Sequence, residues 1–76
     1  MRVIVKLMSG ETHNIRVHSE FNLFATGYEV QESIKKYISL EQGIQIVMFR
    51  NGEELELSDE IDSGTLIDIF MISLSL

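Results

Sequence analysis

The sequence predicts an α+β fold: a mixed four- to five-stranded sheet with one helix packed across it. Three observations carry this. β-branched residues alternate at period two on both sides of an early Ser-Gly turn. One stretch alone repeats apolar residues at helical spacing, and a Thr-x-x-Glu box opens it. Further β-rich runs then follow, separated by Asn-Gly and Ser-Gly turns. At 76 residues the chain is one domain, 1–76, with one modest core.

Each element can be justified in order. Val3 and Val5 alternate with Arg2, Ile4 and Lys6, which reads as a strand. Ser9-Gly10 supplies a turn, and Thr12 to Val17 alternates again with His13, Ile15 and Val17 on one face, completing a hairpin. Thr26-Gly27-Tyr28-Glu29 is a capping box. Val30, Ile34, Tyr37 and Ile38 follow at i, i+4, i+7 and i+8, one apolar stripe on a helix from about Gly27 to Tyr37. Glu32 and Lys36 stand four apart on it, acid first. Ile44 to Phe49 is β-rich and closes at Arg50-Asn51-Gly52. Glu53 to Leu57 reads as a short strand with Leu55 and Leu57 facing one way, Asp62-Ser63-Gly64 as a turn, and Thr65 to Met71 as the last strand, extendable to Leu74. Strands before and after the helix can be parallel through a crossover.

Composition narrows the function classes. There is no cysteine, which excludes disulfides, zinc–thiolate sites and thiol catalysis. The formal net charge of −6 opposes nucleic acid and anionic membrane surfaces as partners. No apolar run reaches the ~20 residues of a membrane helix, and the charged N-terminus does not read as a signal peptide. These features predict a soluble protein of the cytoplasm or nucleus. No nucleophile–base pair or metal-spaced cluster is visible, so no enzyme and no cofactor is predicted. His13 and His18 read as solvated, and the acids from Glu53 to Asp62 as a solvated charge run.

Several residues together resemble the ubiquitin-like, β-grasp family. Met1, Val5-Lys6, Gly10 and Thr12 fall where the family has the same residue types. Thr26 matches its helix cap, Val30 and Ile34 its helix core, and Leu57-Ser58-Asp59 a leucine-serine-aspartate motif. The register runs without a gap from Val30 to Phe49, placing Leu40 and Val47 at buried positions, and again from Ile61 to the end, placing Gly64 at a left-handed position. Residues are inserted around Phe21 to Ala25 and at Asn51, and lost between Leu55 and Ile61. Of the inserted apolar residues, Leu23 or Phe24 is expected to staple the helix start onto the core.

The resemblance implies a ubiquitin-like β-grasp fold and a function in protein binding. The family's conjugated members end in Gly-Gly, which the tail Ile72-Ser73-Leu74-Ser75-Leu76 lacks. Its chain-building lysines are also mostly replaced, leaving Lys6, Lys35 and Lys36. A non-conjugated interaction domain or ubiquitin mimic is therefore expected. The family's apolar recognition patch corresponds to Met8, Met48 and Phe70, with Asp68 where an adjoining histidine stands. All three apolar residues are expected to point outward from the sheet, toward partners such as ubiquitin-binding domains or other ubiquitin-pathway components. The alternative is a structural subunit that forms a homodimer through the last strand and apolar tail, since Ile69-Phe70-Met71-Ile72 is apolar on both faces.

Overall fold

The computed structural model describes residues 1–21, 23–39 and 43–73. The first hairpin forms as its alternation requires. Strand β1 (Arg2–Lys6) pairs antiparallel with β2 (Thr12–Arg16), placing Val3 opposite Ile15 and Val5 opposite His13. The chain next enters a short strand, β3 (Phe24–Thr26), and then the helix α1 (Gly27–Ile38). After the helix come β4 (Ile44–Arg50), β5 (Glu53–Glu54), β6 (Glu60–Asp62) and β7 (Leu66–Ser73).

One mixed sheet carries five of these strands in the order β2-β1-β7-β4-β5. β7 lies between β1 and β4, parallel to the first and antiparallel to the second. The helix lies across one face, giving the α+β arrangement of a β-grasp. Val3, Val5, Ile15, Val17, Ile46, Met48, Ile67 and Ile69 from the sheet side, and Val30 and Ile34 from the helix, form one buried cluster. Burying a side chain of this size stabilises by about 1.5–3 kcal/mol, offset by the ordering of the chain.

The helix begins where the capping box predicts. The Thr26 hydroxyl accepts from Glu29 N–H at 3.2 Å, and a Glu29 carboxylate oxygen accepts from Thr26 N–H at 2.9 Å. Ser39 ends it in the left-handed region, with its N–H donating to the Lys35 carbonyl. The apolar stripe needs one correction. Tyr37 is 51% exposed, because at the last turn it overhangs the edge strand β2, where its hydroxyl meets His13 Nδ1 at 3.0 Å. Ser33 is buried instead, its hydroxyl donating to the Glu29 carbonyl at 2.9 Å. Glu32 reaches Lys35 at 3.5 Å, three residues on, rather than Lys36.

The segment read as an inserted loop contains a strand. β3 pairs antiparallel with β6 as a separate two-stranded sheet, with Ala25 opposite Ile61 and both fully buried. Leu23 is exposed and staples nothing, while Phe24, half-buried, stacks on Phe21 with centroids 4.7 Å apart. The expected strand from Glu53 to Leu57 is also shorter. Leu55 is buried, but Leu57 is exposed. The chain leaves the sheet there so that the carbonyls of Leu57 and Asp59 receive the first helical N–H groups, from Tyr28 at 2.9 Å and Gly27 at 2.8 Å. Free N–H groups at a helix start need such acceptors. The last strand starts one residue later than expected and runs on to Ser73, while Leu40 and the tail from Leu74 to Leu76 lie outside the described residues. Among the described residues no helix is long and apolar enough to cross a membrane.

Candidate protein-binding face

The face of the sheet away from the helix is set by the register of β4 against β7. Phe49 stands opposite Asp68, Met48 opposite Ile69, and Val47 opposite Phe70. Side chains alternate across a strand. Ile46 and Met48 on β4, with Ile67 and Ile69 on β7, are buried under the helix. Val47, Phe49, Asp68 and Phe70 therefore share the outer face.

This overturns one expectation. Met48 does not point outward; it is 3% exposed and belongs to the core. Val47, expected to be buried, is half-buried on the outer face. A shift of one residue along a strand moves every side chain to the opposite face, and the gapless register carried through from the helix is off by one in β4. The residue that takes the outward place is Phe49. A sequence signal for it exists: Gln45 is the lone polar residue between Ile44 and Phe49, and it shares its parity with Val47 and Phe49. The run is otherwise apolar on both parities, so alternation alone does not choose between them.

Met8, Asp68 and Phe70 stand where the sequence expects. Met8 follows β1 in an exposed turn. Together with Val47, Phe49 and Ile72 they line a shallow depression of about 620 Å³. At its centre the Phe49 and Phe70 rings meet edge to face, with centroids 5.3 Å apart and planes at 73°. The hairpin beside it is made possible by Asn51 at φ 54° and Gly52 at φ 81°, the two positive values a tight two-residue turn needs. That turn brings Glu54 opposite Phe49 and Glu53 opposite Arg50. Asp68 lies between Phe49 on one side and Lys6 on the other. The depression is thus apolar apart from Asp68 and Gly52 in its lining.

β7 also outruns its parallel partner. The β1 register ends with Lys6 opposite Asp68, whereas β7 stays paired with β4 as far as Ser73. Phe70, Met71 and Ile72 in this overrun are each more than two-fifths exposed.

The histidines differ from expectation in one respect. His13 is not simply solvated: besides its bond to Tyr37, its Nε2 lies 3.4 Å from a Glu11 carboxylate oxygen. His18 is exposed. Among the described residues, no group of His, Asp and Glu is arranged to hold a metal ion.

No protein-family model matches this chain, and no characterised protein matches it in sequence.

Proposed function

We propose that this is a ubiquitin-like protein-interaction domain that acts by reversible binding through the outer face of its sheet. The observation that supports this best is the Phe49–Phe70 pair at the centre of the depression lined by Met8, Val47 and Ile72. Large aromatic side chains left on the surface at the middle of an apolar patch are the usual anchors of protein interfaces. Methionine at the rim adapts to the shape of what docks. The fold by itself assigns no function, since a β-grasp carries many functions. The partner contributes an apolar surface, such as one face of an amphipathic helix, laid over Phe49 and Phe70. The acid in its lining, Asp68, favours a partner whose flanking groups are neutral or cationic.

The test uses a panel of ubiquitin-recognition helices and small domains, titrated into isotope-labelled protein. Binding is expected to perturb the amides of Met8, Phe49 and Phe70, and Phe49→Asp with Phe70→Asp is expected to abolish it while the spectrum stays folded. Binding that survives both substitutions would remove this reading.

A second reading has its own support in the overrun of β7. Beyond Asp68 the described residues of β7 pair with β4 and no longer with β1, and this stretch, carrying exposed Phe70, Met71 and Ile72, can pair with a second copy of itself. Sedimentation velocity over a wide concentration range separates the two readings. A dimer dispersed by Phe70→Asp would put self-association first; a monomer at every concentration would leave the face free for a different partner.

A further inference from the structure

The hairpin between β4 and β5 turns on two residues, Asn51 and Gly52, and their order matters chemically. A side-chain carboxamide followed by glycine is the arrangement most open to attack by the next backbone nitrogen, because glycine has no Cβ to crowd the approach. Asn51 is the only asparagine in the chain with that neighbour; Asn14 precedes Ile15 and Asn22 precedes Leu23. The fold leaves this pair unguarded. Both residues are exposed. Neither the Asn51 carboxamide nor the Gly52 N–H has a hydrogen-bond partner among the described residues. A Cβ built at Gly52 would meet nothing within 4 Å, so water reaches the turn freely. The strand that closes the turn is two exposed residues long, and so short and solvated a pairing opens at little cost.

We propose that Asn51 is a site of spontaneous conversion to isoaspartate and aspartate, and that the conversion rebuilds the β4–β5 hairpin. The Gly52 backbone nitrogen gives up its proton to solvent hydroxide and attacks Asn51 Cγ. The new N–C bond closes a five-membered imide. The Cγ–Nδ2 bond breaks, and Nδ2 leaves as ammonia with a proton taken from water. A second water then opens the imide. Opening at Cγ gives aspartate; opening at the Asn51 main-chain carbonyl gives isoaspartate, in which the chain runs through Cβ and Cγ. The net reaction consumes one water, releases one ammonia and leaves one new carboxyl group. Either product adds a negative charge to a chain already at −6. Isoaspartate does more, because it adds one main-chain atom to a turn built on φ 54° at Asn51 and φ 81° at Gly52. The pairs Arg50–Glu53 and Phe49–Glu54 then lose their register. Gly52 and Phe49 both line the apolar depression, so the change falls at its rim.

The experiment ages the folded protein in mildly alkaline buffer at body temperature, beside Asn51→Gly. That variant carries no carboxamide and keeps a dipeptide suited to two positive φ values. Peptide mapping with electron-based fragmentation, which tells isoaspartate from aspartate, is expected to find product at Asn51, isoaspartate in excess, before any at Asn14 or Asn22. Ion exchange should show a species one negative charge more acidic accumulating in the parent and not in Asn51→Gly. In the purified isoaspartate species the amides of Phe49, Arg50, Glu53 and Glu54 should shift, while those of Val5 and Ile67 in the core stay in place. None of these readouts uses a partner, so this proposal and the outer-face reading fail separately. No conversion at Asn51 over the time in which an unfolded peptide spanning β4 and β5 converts fully, conversion at Asn14 or Asn22 at the same rate, or an isoaspartate species whose hairpin amides do not move would each overturn it.

Discussion

Phe49 on β4 and Phe70 on β7 meet edge to face on the solvent side of the sheet, 5.3 Å between ring centroids. They are not direct cross-strand partners; Phe49 is opposite Asp68 and Phe70 opposite Val47. The contact is therefore diagonal, within the reach of aromatic side chains. A double-mutant cycle of Phe49→Ala and Phe70→Ala, read by urea unfolding, should give a coupling of about 0.5–1.5 kcal/mol. A coupling near zero would show that the rings do not hold each other in place in solution.

Met48 and Phe49 are adjacent in sequence and opposite in consequence. Met48→Ala empties part of the buried cluster and should destabilise by about 2–5 kcal/mol. Phe70→Asp changes a half-exposed residue on the outer face and should cost less, about 1–2 kcal/mol with the Phe49 contact included. Chemical denaturation of the two variants side by side checks the inner and outer faces of the sheet. A larger loss from Phe70→Asp than from Met48→Ala would contradict the register described here.

Gly27 opens the helix against the backbone of Glu56 and Leu57. A Cβ at this position would collide with the Glu56 carbonyl oxygen and stand 3.1 Å from the Leu57 Cα. In an exposed helix Gly→Ala usually stabilises. Here Gly27→Ala should instead destabilise by about 1–3 kcal/mol, because backbone atoms must move. Thermal unfolding reads the sign directly, and a raised melting temperature would refute the close approach.

Glu29 closes the capping box, and its carboxyl is held below its ordinary value of 4.5. The main cause is the hydrogen bond from Thr26 N–H; partial burial opposes it, and the Thr26 hydroxyl, the Glu20 backbone and the Ser19 hydroxyl add to the lowering. The folded value lies below the unfolded one, so ionised Glu29 stabilises the fold fully above pH 4.5. That contribution is lost as pH falls through the lower folded value. Glu29→Gln should therefore melt below the parent protein at neutral pH, with the gap closing in acid. A gap that stays constant down to low pH would assign the loss to packing rather than charge. Thr26→Ala removes the other half of the box and should cost about 1 kcal/mol.

The local features that short-range physics controls were legible. Strand alternation located β1 and β2, the Thr26–Glu29 box located the helix start, and Asn51-Gly52 located the tight turn. Met8, Asp68 and Phe70 were placed at the outer patch by the family resemblance, and all three line the depression there. Phe49 was missed because Ile44 to Phe49 is apolar at both parities, and Met48 was taken in its place. The pairing of Phe24–Thr26 with Glu60–Asp62 was not legible either. Two three-residue segments more than thirty positions apart carry no local signal for each other.

By itself, then, the sequence determined the first hairpin, the helix, the long strands β4 and β7 and the turns at Gly10, Gly52 and Gly64, because those choices depend on residues within a few positions of one another. Only the tertiary structure decided which face of β4 is buried and that Leu57 turns outward so its carbonyl can receive the helix start. Those outcomes depend on register and on contacts between distant segments. A one-residue step that barely changes local energy exchanges core for surface there.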